Sequence, residues 1–125
     1  MKKLIILLLI LSFGFIQAQN NLNEKTFKKS ISKGVTVVEF NAPFNLDNSF
    51  QDWKNLEHCD YYQVCISGNP TLKKKYRIYS VPTIIIFHNG YSGEKFKGNI
   101  MLELDVETEE IQEATSQIKK ILPID

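Results

Sequence analysis

Between Val37 and Asn48 the chain passes from unbroken apolar sequence straight into residues that start helices. Val35 to Asn41 reads as a buried strand, apolar on both faces except at Glu39. A strand of that kind needs cover on both sides, which points to an α/β domain rather than an open sheet. Directly after it, Ala42-Pro43-Phe44-Asn45-Leu46-Asp47-Asn48 holds three short polar side chains suited to capping. Asp47 or Asn48 is expected to open a helix that runs through Trp53 and Leu56.

The remaining elements alternate in the same way. Asn23 can cap a short helix carrying Phe27 and Ile31, with Gly34 just past its end. Tyr61 to Ser67 is a second strand, and Asn69-Pro70 opens another helix because proline suits the first helical position. Thr83 to His88 is a third strand. Asn89-Gly90 is a two-residue hairpin turn, both residues tolerating positive φ, and it leads into a strand ending near Lys97. The last helix covers Thr108 to Leu122, with Ile111, Ala114, Ile118, Ile121 and Leu122 on one stripe. Asn99 to Asp105 alternates, as an extra strand or extended segment would with Ile100, Leu102 and Leu104 inward.

The N-terminus indicates a compartment. Lys2 and Lys3 precede a run of 13 mostly apolar residues, Leu4 to Ile16, and Gln17-Ala18-Gln19 returns to polar sequence. That is the layout of a secretory signal peptide over residues 1–18, and the run is short of the roughly 20 residues a spanning helix needs. The expectation is an exported protein, periplasmic or secreted, with its domain in residues 19–125 and no membrane insertion once the signal is removed. Two of the 15 basic residues would leave with the signal, so 13 face 14 acidic ones, a net charge of −1. This balance gives no electrostatic reason to expect nucleic acid or an anionic membrane as partner. The basic cluster Lys73-Lys74-Lys75 with Arg77 reads as a solvated helix face.

Taken in order, these landmarks resemble the thioredoxin-like family over about Asn23 to Leu122. Phe40 matches the phenylalanine before that family's active-site loop, and Ala42 the alanine of its Trp-Ala-x-Trp-Cys motif. Phe44 stands where the aromatic before the first cysteine would be. Ser80-Val81-Pro82-Thr83 looks like the family's cis-proline turn, Asn89-Gly90 its hairpin, and Gly98 the glycine after its last strand. The resemblance implies a central mixed β-sheet flanked by helices, of a divergent exported bacterial type.

The departures bear on function. In the family, the first cysteine sits at a helix N-terminus, where the dipole and free N–H groups favour the thiolate, and the second resolves the mixed disulfide three residues on. Here those places hold Asn45 and Asn48, with Leu46-Asp47 between them. A carboxamide neither ionises to a nucleophile nor cycles with a disulfide, so capping is the role left to Asn45, Asp47 and Asn48. Glu39 falls where relatives carry a buried carboxylate that assists proton transfer. Poor hydration in a central strand favours its neutral form.

Two thiols remain, Cys59 and Cys65. An extended 61–65 segment would separate their α-carbons by well over about 10 Å, beyond the reach of a disulfide. Cys65, mid-strand, is expected to be buried, and Cys59, in the preceding loop, the more exposed. His58-Cys59-Asp60 and His88 lack a metal-site spacing, and no metal or other cofactor is expected. Trp53, Tyr61, Tyr62, Tyr76 and Tyr79 read as packing.

Two functions follow. The first is a non-catalytic module that binds an exported protein or peptide client. In relatives the backbone next to the cis-proline pairs with an extended polypeptide, and here Val81 beside Pro82 would supply that pair, with Phe44 as an apolar wall. The second is a divergent thiol oxidoreductase using Cys59, Cys65 or both.

Overall fold

The computed structural model describes residues 21–121, the side chain of Ile121 excepted. The signal-peptide expectation over residues 1–18 and the stripe positions Ile121 and Leu122 lie outside what is described. Five strands form one sheet: β1 (Asn21–Leu22), β2 (Val35–Asn41), β3 (Asp60–Cys65), β4 (Thr83–His88) and β5 (Tyr91–Lys97). Their spatial order is β1-β3-β2-β4-β5. The first three run parallel, while β4 lies antiparallel to β2 and β5 antiparallel to β4. Three helices, α1 (Phe27–Ser30), α2 (Pro70–Lys75) and α3 (Thr108–Ile121), cover the two faces.

Strand alternation divides the core into two. Val38 and Phe40 of β2 with Ile85 and Phe87 of β4 face Phe27, Leu72 and Ile78 on the α1–α2 side. Val35, Val37, Ile84 and Ile86 point the other way, onto Ile111, Ala114 and Ile118 of α3. Every residue of β2 is buried, as its composition demands of a central strand clad on both faces.

Both turns that set the sheet's register use residues with positive φ. Asn89 and Gly90 take φ of 50° and 88° in the β4–β5 hairpin, and Gly34 takes 71° before β2. The Asn89 side chain accepts from the Gly34 N–H at 2.8 Å, and its own N–H donates to the Gly34 carbonyl at 3.0 Å. This reciprocal pair locks the hairpin to the start of the central strand.

Three expectations are corrected. The helix from Asp47 or Asn48 through Leu56 is instead two 3₁₀ stretches, Pro43–Asn48 and Asp52–Asn55, with Ser49 extended at ψ 150°. In a continuous helix the Phe50 N–H would bond the Leu46 carbonyl. Here Leu46 accepts from Ser49 at 3.1 Å, and Phe50 donates to the Glu39 carboxylate at 3.0 Å. The second strand ends at Cys65, two residues early, where Ile66–Gly68 turns into a 3₁₀ helix. Asn99 to Asp105 forms no strand. Asn99 closes a turn on itself, its side chain accepting from the N–H groups of Met101 (2.8 Å) and Glu103 (3.1 Å). Ile100 is therefore 97% exposed, and only Leu104 joins the α3-side core.

The Val81–Pro82 peptide is cis, and Gly98 lies against it. A Cβ on Gly98 would stand 2.5 Å from the Val81 oxygen and 2.9 Å from the Pro82 oxygen. Both obstacles are backbone, so Gly98→Ala is expected to destabilise the fold by about 1–3 kcal/mol, as overpacking does. Urea unfolding followed by circular dichroism checks this; an unchanged midpoint would show that the turn yields freely.

Candidate functional site

The carboxyl ends of β2 and β3, the loop after β2 and the turn before β4 converge at one end of the strands, in the middle of the sheet. Asn41, the last residue of β2, is buried and organises the loop. Its Oδ1 accepts from the Ala42 N–H at 2.8 Å and the Asn45 amide at 3.1 Å, while its Nδ2 donates to the Asn45 carbonyl and Ser49 hydroxyl, both at 3.2 Å. Asn45, itself buried, donates further to the Leu102 carbonyl at 3.1 Å and accepts from the Asn48 amide at 2.9 Å. The three asparagines thus form one network, tying the loop to the 99–104 turn. The expected capping role is not what Asn45 and Asn48 perform, since neither 3₁₀ stretch has a side-chain cap. Asparagine amides compete for backbone groups, which suits them to irregular turns more than to helix starts. Leu46 and Asp47 project into solvent. Asn41 escaped sequence reading; the Asn41–Asn45–Asn48 spacing was the available signal.

Below the loop, Glu39 is fully buried. Its two oxygens accept from the Phe50 N–H at 3.0 Å, the Gln63 amide at 3.1 Å and the Tyr61 hydroxyl. These partners satisfy a carboxyl group that has no contact with solvent. The Tyr61 hydroxyl is pushed well above the ordinary phenol range, first by burial and then by the Glu39 charge. Trp53 stacks on Tyr61 at 5.3 Å, within 7° of parallel, roofing this pair.

Beside the loop runs an open groove of about 320 Å³, walled by Phe44, Ile66, Tyr79, Val81 and Leu102. Phe44 is 76% and Tyr79 86% exposed, far more than side chains that serve the core; Tyr79 departs from the packing role expected of it. Val81, buried, forms part of its lining, whereas Pro82, also buried, lies outside it. Among the described residues, no hydrogen bond engages the N–H or C=O of Val81. Gly98 packs closely against that carbonyl, with no room for a Cβ between them.

The thiols exchange their expected environments. Cys65 is exposed at the strand end, opposite Asn41, with its sulfur 3.2 Å from the Ser67 hydroxyl. That contact, ahead of smaller backbone effects, holds its pKa below the usual thiol value. Cys59 is half-buried against the α3-side core, and burial pushes its pKa up. They flank β3 at its two ends, both are free, and neither opens an α-helix. Among the described residues no three His, Cys, Asp or Glu side chains converge as metal ligands would.

No protein-family model matches the chain, and no curated protein matches it either. Solved structures do. The thioredoxin of Fasciola hepatica is similar with a TM-score of 0.60 at 19% identity, over 78% of this chain and 98% of that one. A mutant thioredoxin from Halobacterium salinarum NRC-1 gives 0.58 at 16%, over 83% and 95%. The Malassezia sympodialis thioredoxin gives 0.54 at 18%, over 78% and 88%. At these identities the likeness establishes the architecture: the fold is thioredoxin-like.

Two outcomes follow from this geometry. Asn45→Ala leaves the Leu102 carbonyl and the Asn48 amide without their partner, a loss of about 1–3 kcal/mol. Amide exchange should quicken in residues 99–104 before it does elsewhere; uniform quickening would deny the tether. Tyr61 keeps its proton in the folded state to higher pH than in the unfolded chain, so the stability it contributes is present below about pH 10 and fades above it. Denaturation midpoints should fall more steeply above pH 10 in the parent than in Tyr61→Phe.

Proposed function

We propose that this chain is an exported bacterial protein of the thioredoxin-like family, lacking the Cys-x-x-Cys dithiol, that binds extended segments of exported polypeptides. The observation that carries this reading is the unpaired Val81 backbone in the lining of an apolar groove. One N–H and one C=O side by side allow a strand to be added, which is how extended peptides are held by sheet edges. Phe44, Tyr79 and Leu102 along the rim provide apolar surface for the side chains of such a strand. The place of the redox pair supports binding rather than turnover, because Asn45 and Asn48 are consumed in holding the loop together. The signal-like segment at residues 1–18 supports export, with the domain in residues 19–125.

A second reading is favoured by one observation. Cys65 is exposed, has a lowered pKa and sits at the same end of the strands as the groove, which suits a thiol that exchanges with a partner's disulfide.

A photocrosslinking peptide of alternating valine and threonine is expected to mark Phe44, Tyr79 and Val81. Phe44→Asp should reduce capture by about tenfold, as loss of an aromatic anchor does. The same preparation should not reduce insulin disulfides with dithiothreitol as electron donor. Turnover that vanishes in Cys65→Ser would replace the binding reading with the oxidoreductase one. Thiol labelling orders the cysteines independently: at pH 8 Cys65 should react with iodoacetamide at least about tenfold faster than the half-buried Cys59.

A further inference from the structure

Lys73 is the one charged side chain among the described residues that line the groove. It stands in the last turn of α2 with Lys74 and Lys75, and the chain then runs through Arg77 into Ile78–Val81, the groove wall. On the far flank of that wall lie Lys95 and Lys97 of β5. Lys95 is turned inward, its ammonium donating to the Tyr76 carbonyl at 2.7 Å. That bond brings Lys95 beside the residue preceding Arg77, and after burial the positive charges of Lys97 and Arg77 are what lower its pKa. Of the acidic residues near the groove's lip, Glu103 lines a different cavity with Asp52 and Glu107, while Asp47 and Asp105, three positions from Phe44 and Leu102, are exposed and outside the groove lining. The wall formed by residues 77–81 thus has cations at its head, along its groove side and behind it.

Resting on the binding reading above, we infer that the groove selects acidic segments: an extended peptide whose apolar side chains meet Phe44, Tyr79 and Leu102 and whose carboxylate reaches Lys73 at the α2 end. The apolar rim gives such a peptide its hold, and the cations give its sequence preference and orientation, since charge at an interface rim acts more on selection and encounter than on affinity. A lysine in the same place on the peptide would meet only like charge.

Three fluorescent peptides with one Val-Thr-Val-Thr core test this by anisotropy on the purified protein: one ending in two glutamates, one in two lysines, one in two glutamines. The glutamate peptide is expected to bind about fivefold more tightly than the lysine peptide, the size of an effect near 1 kcal/mol from partly exposed charges. The ratio should shrink at 0.5 M salt as screening shortens the reach of these charges. Lys73→Glu should bring the ratio to one or invert it, and Lys97→Glu, outside the groove lining, should reduce it. Equal affinities for the three peptides, with crosslinks still at Val81, would overturn the charge selection and leave the binding reading standing. Absence of binding by all three would overturn both.

Discussion

A carboxyl group with no water around it needs hydrogen-bond partners, and Glu39 takes them from three places. Gln63 and Tyr61 belong to the neighbouring strand, while Phe50 belongs to the loop that follows Glu39's own strand. The bond to Phe50 has the widest effect. It removes the N–H that would have continued a helix and leaves the chain to descend in two 3₁₀ pieces. Ahead of that break the loop is held by asparagines: the Asn41 amide donates to the Asn45 carbonyl, and the Asn41, Asn45 and Asn48 side chains bond one another in series. A buried carboxyl such as Glu39 is weak evidence for stability, because an apolar replacement of similar shape often does as well. Its effect here is on geometry: it decides where the loop bends.

The groove depends on that bend. Phe44 is held out into solvent because the residues on either side of it are fixed, with Ala42 donating to Asn41 and Asn45 bonded on every polar atom of its side chain. The opposite wall is fixed by Gly98, whose missing side chain lets the end of β5 close on the Val81–Pro82 backbone. The Gly98 N–H reaches the Pro82 oxygen at 2.7 Å, which holds the turn without using the polar groups of Val81. The apolar rim and the open backbone are products of the same few contacts.

What could be read from sequence was whatever depends on period or on a single residue's φ. The limits of β2 and β4 followed from unbroken apolar runs, and the hairpin from Asn89-Gly90. What could not be read depends on a partner distant in the chain. Nothing near Phe50 tells that its N–H is claimed by a side chain 11 positions earlier. The alternation from Asn99 to Asp105 imitates a strand, yet one asparagine side chain bonding two N–H groups folds it into a turn. Cys65 came out exposed because β3 stops two residues short of the expected end, while Cys59 is half-buried through packing against the α3-side core. That shortfall turned an interior position into a strand terminus. The unpaired backbone of Val81 left no trace in composition at all; only the likeness of Ser80-Val81-Pro82-Thr83 to a known turn drew attention to it.

The bond from the Asn45 amide to the Leu102 carbonyl joins segments 57 positions apart, each of which contributes a residue to the groove lining, Phe44 and Leu102. These two parts of the lining are thereby coupled within the protein itself. Preorganisation of this sort removes much of the ordering entropy that association would otherwise oppose. Under the binding role proposed above, most of the ordering would then fall to the peptide, and peptides that are readily extended would be favoured.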